Sequence, residues 1–435
     1  MKNNHKFEII LVSLFLIIAV VVVSFVFDVF NINTKTSTIT EEEEPVTVEF
    51  CYAFQNPMWD TAIRQVIKDF ESENPDILIQ YEIAYEDTVY ENYLTKKIAR
   101  GELADIVQLK TILPYAKSDL LGSISEDTAA LVDETYEYNG NIVGVGAVET
   151  TWGILFNRDI FDKYGIDEPI SIDEFYVACE KLKDEGVVPI GVAGGDLWHM
   201  EYWVNHYFRT DIIADNENWL AECMNGECSW TDDSVTKMLE DLKYLFDNGY
   251  VNSDWQTTSD IELSYRLKDS EIAMVYTGPW TAASISQEYS VNLGWFYLPL
   301  EDGRVQAADN FDTYFAISKE CEADSEKYEA AMKFLQFFYS SDEYAYVYHS
   351  IYAFPTVNAD IKNDMTDIES DIVYDFENAD LYSEVYIGNE DTPENFEKGM
   401  LNIICDIMAE QISIEDGQEK LQILWEQCKG DVDEE

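Results

Sequence analysis

From Val46 onward the chain alternates short apolar strands with amphipathic helices, and that order restricts the fold more than any other feature. Val46 to Phe54 (VTVEFCYAF) reads as a strand. After the loop QNPMWD, Ala62, Ile63, Val66, Ile67 and Phe70 recur at helical spacing. Asn74-Pro75 stops that helix, and Ile77 to Ala84 alternates as a second strand. A helix over about Thr88 to Arg100 leads to a third strand at Ala104-Asp105-Ile106-Val107. The order β-α-β-α-β predicts a mostly parallel sheet covered by helices.

The pattern then repeats with new material. Asn139-Gly140 predicts a tight turn, and Val143 to Ala147 runs extended. A helix near Asp159 to Tyr164 stops at Gly165. Ser171 with Glu174 forms a capping-box pattern before a helix that reaches Glu185. The strand VVPIGVAGG and a helix over Thr231 to Asn248 follow. In EIAMVYTGPWTAA, Ile272, Met274 and Tyr276 suit a buried strand; Gly278 breaks it, and Pro279 suits the first turn of a new helix. Trp280 is thus presented at a strand-to-helix corner, where α/β folds bind ligands. Strand-like segments at Leu293 to Leu300 and Asn310 to Lys319, a helix over Glu326 to Tyr339, the loop YAFPTVN and two C-terminal amphipathic helices complete the reading. Asp360 to Pro393 is acidic and carries no clear period. A chain of 435 residues exceeds what one core usually serves, so two lobes are expected.

Charge narrows the functional classes. The 86 acidic against 27 basic residues give a net charge of -59, which opposes binding to nucleic-acid phosphates or anionic lipid surfaces. Ile9 to Phe27 is apolar with two serines and no charge, long enough to span a bilayer. Lys2 and Lys6 precede it and Asp28 follows, which places residues 1–8 in the cytoplasm and the bulk of the chain outside. No small-x-small cleavage site follows, so an uncleaved signal anchor is favoured over a cleaved signal peptide, with residues 28–45 as an acidic tether. Of the 7 cysteines, Cys223 and Cys228 in CMNGEC are spaced to pair across a turn, and Cys405 and Cys428 are a second candidate pair. No metal-ligand spacing is present; His199 and His206 stand too far apart on one helix and read as structural.

Six segments occur in the order found in one family: WDTAIRQVIKDFESENPDILIQYE, ADIVQL, YNGNIVGVGAVETTWGILFNRDIFDKYGI, ISIDEFYVACEKLKDEGVVPI, EIAMVYTGPW and ADNFDTYFAISK. Together they resemble the extracellular solute-binding proteins of ABC sugar importers (family 1), the family that includes the maltodextrin-binding protein. The resemblance implies an α/β, two-lobed periplasmic-binding-protein-like fold of type II, with hinge-linked lobes around a cleft. It implies residues 46–148 plus 299–348 for the N-terminal lobe and 149–298 plus 349–435 for the C-terminal lobe. The crossings are expected near Gly146 to Thr150, Trp295 to Leu298 and Tyr348. The expected partners are a small carbohydrate and the importer's permease subunits. The chain is expected to be a monomer on the outer face of the membrane, without cofactor, metal or catalytic residues.

Carried across by motif, Trp280 becomes a sugar-stacking ring. Gln108, Lys110 and Thr111 end the ADIVQL strand, and Asp196 and Trp198 follow VVPIGVAGG. Gln55, Asn56 and Trp59 lie in the first loop, Glu149 and Trp152 at the hinge strand, and Asp312 and Phe354 near the later crossings; Phe396 is a further position. Two departures stand out: the cysteine that usually carries the family's lipid anchor is missing, and Gly146 replaces a common hinge proline. The residue types suit the task, since aromatic faces take a sugar's C–H surfaces and carboxylates and amides take its hydroxyls. The same residues would suit a cation such as a polyamine, and a carboxylate pair could serve a glycosidase. No GxSxG, HExxH, P-loop or dinucleotide fingerprint is present.

Overall fold

The computed structural model describes residues 44–53, 57–84, 87–300, 303–339, 341–356, 365–383, 392–393 and 396–432. The chain divides into two compact units, Met1–Pro45 and Val46–Glu435. Of the first, only Glu44 and Pro45 are described, so the apolar run Ile9 to Phe27 and most of the acidic tether lie outside the described residues. Among the described residues no helix is long and apolar enough to cross a membrane.

The strands of the second unit are β1 (Val46–Ala53), β2 (Ile77–Ala84), β3 (Ile106–Leu109), β4 (Thr135–Tyr138), β5 (Asn141–Thr150), β6 (Gly153–Asn157), β7 (Val188–Gly191), β8 (Ile272–Thr277), β9 (Leu293–Phe296), β10 (Gln306–Ile317) and β11 (Asp380–Ser383). They form two sheets. One has the order β2-β1-β3-β10-β5-β4 with β11 added to β10, the other β7-β8-β6-β9. β1 pairs in parallel with β2 and β3, as the β-α-β-α-β order predicts. β10 returns antiparallel between β3 and β5.

Each sheet is covered on both faces, and strand alternation decides which side chain goes where. Val48, Phe50 and Tyr52 of β1 face a core built with Trp59, Ile63, Val66, Ile67 and Phe70 of the helix Pro57–Glu73. Cys51 and Ala53 face the opposite layer with Tyr90 and Leu94. In the second sheet Ile154 and Phe156 face one core, Leu155 the other. A fully buried side chain of this size contributes about 1.5–3 kcal/mol relative to exposure. The helices Ser325–Phe338 and Ser341–Ser350 complete the first sheet's core. Phe396–Met408 and Ile414–Val432 complete the second's.

The chain passes between the sheets where three segments converge. β5 stays paired with β10 through Asn310↔Thr150, beyond the expected boundary at residue 148. Gly146 is no loose joint. Its N–H donates to the Glu134 carbonyl at 3.0 Å, and its carbonyl accepts from Tyr339 Oη at 2.8 Å. The return passage lies at Ala353 and Phe354: Ala353 belongs to the first sheet's core, Phe354 to the second's, and Phe354 bridges Glu149 through its backbone.

Two features depart from the sequence reading. Within the unassigned acidic stretch, Thr366 and Glu369 form a full capping box for the helix Asp367–Asn378, and β11 follows. The helix's buried apolar residues are Ile368, Ile372 and Phe376 among many acids, too thin a stripe to stand out. Second, Cys223 and Cys228 do not pair. Gly226 turns the chain with φ +75, but Cys223 is buried in the core while Cys228 Sγ donates to Glu222 Oε2 at 3.2 Å. Both are free thiols, as is Cys405, so a Cys405–Cys428 bridge is likewise not formed.

Candidate functional site

The strand-to-helix corners of the second sheet bring the aromatic candidates together. β8 ends at Thr277, Gly278 caps the next helix in an extended conformation, and Pro279 opens it. The Trp280 ring folds back over Gly278, where a Cβ would lie 2.1 Å from the indole. A residue without a side chain is therefore required for the ring to lie there. Trp280 is half-buried and packs against the hydrophobic cores of both sheets.

The helix α1 (Trp198–Phe208) supplies the second wall. Tyr202 is its hub: its ring centroid lies 5.3 Å from Trp152, 5.9 Å from Trp198, 6.1 Å from Tyr276 and 6.4 Å from Trp280. Tyr202 was not among the sequence candidates, although it stands one helical turn beyond Trp198, where two side chains meet. These distances fall in the range of favourable edge and tilted aromatic packing.

The loop before α1 is shaped by its glycine pair. A Cβ on Gly194 would meet the Trp255 ring at 2.5 Å, and one on Gly195 would meet the Thr258 carbonyl at 2.7 Å. Both amides bond to the facing loop: Gly194 N–H to the Trp255 carbonyl at 2.7 Å and Gly195 N–H to the Thr258 carbonyl at 3.0 Å. Asp196 is thereby held against the helix α2 (Asp260–Lys268), and its Oδ2 accepts the Asp260 N–H at 2.7 Å. A carboxylate at a helix N-terminus is favoured by the exposed amides there.

Other sequence candidates fall elsewhere. Gln108 is buried within the first sheet, accepting from Ala53 N–H at 3.1 Å and donating to Thr313 Oγ1 at 3.0 Å, so its amide locks strands together. Trp59 is wholly buried in the first sheet's core. Phe354 stacks on Phe376 with centroids 4.1 Å apart, and Phe396 is buried against Trp230 and Trp425. All four correct the sequence assignment, because internal partners occupy the faces a ligand would need. Lys110 and Thr111 are exposed just past β3, and Glu149 is half-buried at the passage between sheets. Gln55 and Asn56 lie outside the described residues, as does the side chain of Asp312. Asp105 is structural: it accepts from Glu49 N–H at 2.9 Å and pairs with Lys327 Nζ at 2.8 and 3.1 Å. A separate polar depression of about 290 Å3, lined by Lys117, Tyr138, Asn139 and Lys319, sits at the opposite end of β3 from Lys110.

Trp280 packs against the cores of both sheets, while Trp152, Trp198 and Tyr202 belong to or pack against the second sheet's core alone. The family model described as bacterial extracellular solute-binding protein matches residues 59–345. The chain belongs to this family. Among curated proteins it is similar to a multiple sugar-binding protein of Streptococcus mutans, 23% identical over 61% of this chain and 65% of that protein. It is also similar to a melibiose/raffinose/stachyose-binding protein of Bacillus subtilis, 24% identical over 52% of this chain and 54% of that protein. The chain thus covers less than two thirds of either relative. Among solved structures, a chitin oligosaccharide binding protein superposes with a TM-score of 0.78 at 18% identity, covering 89% of this chain and 100% of that one. A solute-binding protein in complex with raffinose gives 0.73 at 16% identity, covering 88% and 100%. These superpositions bear out the two-lobed α/β fold that the motif order implies. The family places the protein outside the cell and in a class of binding proteins.

Proposed function

We propose that the chain captures a sugar or oligosaccharide between its lobes and delivers it to the permease of an ABC importer. One observation carries the reading: Trp280, half-buried at a strand-to-helix corner, packs against the cores of both sheets and is joined by the rings of Trp152, Trp198 and Tyr202. A ligand seated on Trp280 would therefore feel both lobes at once. Stacking contributes roughly 0.5–1.5 kcal/mol per ring beyond area burial, and a micromolar ligand needs about 8 kcal/mol in all. The half-buried rings of Trp280 and Trp198, held in place by the buried Trp152 and Tyr202, supply stacking and apolar area, and Asp196 and Glu149 supply charge-assisted bonds toward that total. Names of the relatives, which speak of raffinose, stachyose and melibiose, support the same ligand class.

The working cycle follows from the hinge. Open and closed forms exchange, and a sugar that bridges the lobes favours the closed one, which the permease recognises. The lobe boundaries fall near the expected 148/149, 298/299 and 348/349, the first extended to Thr150 by the pairing of β5 with β10 and the last to Ala353 and Phe354. The run Ile9 to Phe27 serves as an uncleaved anchor, and the protein acts as a monomer. Thermal-shift screening of galactose, raffinose, stachyose and chitin oligosaccharides tests the reading, because a ligand of the folded state raises the melting temperature. A polyamine that shifts the melting point while every sugar fails would refute it, and so would turnover of an oligosaccharide.

A further inference from the structure

Beside the Trp198 ring lies a pair of ionisable groups that the sugar-binding reading does not use, one buried and one half-buried with a shielded carboxyl oxygen. His199 is fully buried, and its Nε2 stands 3.7 Å from Asp260 Oδ1. Neither ring nitrogen of His199 has a hydrogen-bond partner, and neither does Asp260 Oδ1. A buried imidazole carries at least one N–H or lone pair that must be satisfied, and a buried polar atom left unpaired is costly. The separation exceeds a hydrogen bond, yet a small displacement of α1 against α2 closes it.

The pair is placed where such a displacement matters. The His199 ring packs against both Trp198 and Tyr202, with centroids 5.7 and 5.8 Å away. The Asp260 backbone N–H is held by Asp196. One pair thus ties together the Trp198 platform, the Tyr202 hub and the Asp196 loop. We propose that His199 and Asp260 are positioning residues whose shared hydrogen bond closes on ligand binding and fixes Trp198 and Asp196 against the sugar. The inference rests on reading the Trp198–Trp280 cluster as the binding site.

The proton's place can be argued. Burial pushes His199 down to about 3 and Asp260 up to about 7, the latter helped by the Asp196 carboxylate. The other charged groups nearby are accounted for: Arg266 holds Glu262 at 2.5 Å and Asp254 at 2.6 Å, Glu201 is the remaining acid of α1, and His206 faces Tyr276. Below pH 7 the Asp260 carboxyl keeps its proton, and in the ligand-closed arrangement it is the donor to His199 Nε2. As pH rises through 7 the carboxyl ionises beside Asp196, and repulsion loosens the loop that carries Trp198.

The test is raffinose affinity by calorimetry from pH 5.5 to 8.5, with stachyose or chitin oligosaccharide substituted if raffinose is not bound. Native protein should bind several-fold more weakly above pH 7 than below. Asp260→Asn, whose amide donates at every pH, should keep the acid-side affinity and lose the decline. His199→Phe, which preserves the ring packing but not the acceptor, should bind about tenfold more weakly at pH 6. Native affinity and an unchanged pH profile in both variants would overturn the pair. Should His199→Phe not fold, the native and Asp260→Asn profiles decide. If no sugar binds the native protein, the site reading fails on its own. The pair is then judged by the His199 ring resonances in NMR, which should show an inflection near pH 7 in the native protein and none in Asp260→Asn; a flat native titration would refute it.

Discussion

Replacing Trp280 by alanine separates a ligand platform from a core residue. The ring is half-buried, rests on Gly278 and meets Tyr202 at 6.4 Å. Losing one stacking face removes roughly 0.5–1.5 kcal/mol beyond area burial. About 50 Å2 of apolar face covered by the sugar, at about 25 cal/mol/Å2, adds about 1 kcal/mol. The total of about 2 kcal/mol corresponds to roughly thirtyfold weaker binding. Stability should fall by less than the roughly 3–5 kcal/mol of a fully buried tryptophan, so the variant should stay folded. Calorimetry with the best sugar of the panel measures the affinity loss, and circular dichroism with thermal melting checks the fold. Trp280→Phe should fall between native and alanine. Unchanged affinity in a folded Trp280→Ala protein would remove the ring from the site, and a variant that cannot fold would make it a core residue.

Three further outcomes follow from the geometry. Gly278→Ala places a methyl 2.1 Å from the Trp280 indole; displacing the ring should cost about 1–3 kcal/mol of stability and weaken sugar binding in the same variant, as melting and calorimetry would show. Asp105→Asn removes the charge paired with Lys327 and one of the two oxygens that accept from Lys327 and the Glu49 N–H, so denaturant unfolding should report a loss of about 1.5–3 kcal/mol with sugar affinity untouched. Arg266 holds both oxygens of Asp254, which with Asn252 keeps that carboxyl well below the usual range. A depressed carboxylate contributes stability above its unfolded value near 4 and loses it as pH falls; Arg266→Met should therefore move acid unfolding to higher pH, and an unmoved midpoint would count against the clamp.

What the sequence made legible follows from how each signal is encoded. The parallel β1-β2-β3 unit was readable because its strands and helices are local, with one period each and a clear stop at Asn74-Pro75. Trp280 and Trp198 stand out in the sequence because each follows a glycine-marked corner, and both rings are half-buried there. Trp59, Gln108 and Phe354 were misread for the converse reason. Each sits at the right place along the chain, but its side chain is claimed by distant partners: Gln108 by Thr313, Phe354 by Phe376, Trp59 by the core between the first sheet and its helices. Sequence position fixes where a Cα goes, whereas which face of a side chain stays free depends on contacts made far along the chain. Tyr202 shows the same limit from the other side. It looked like one more aromatic in WHMEYWVNHYF, and only the approach of β8 and Trp152 makes it the point where the rings converge. The proposed site would thus be encoded twice: locally in the corners that carry Trp198 and Trp280, and non-locally in the packing of α1 that decides what those rings face.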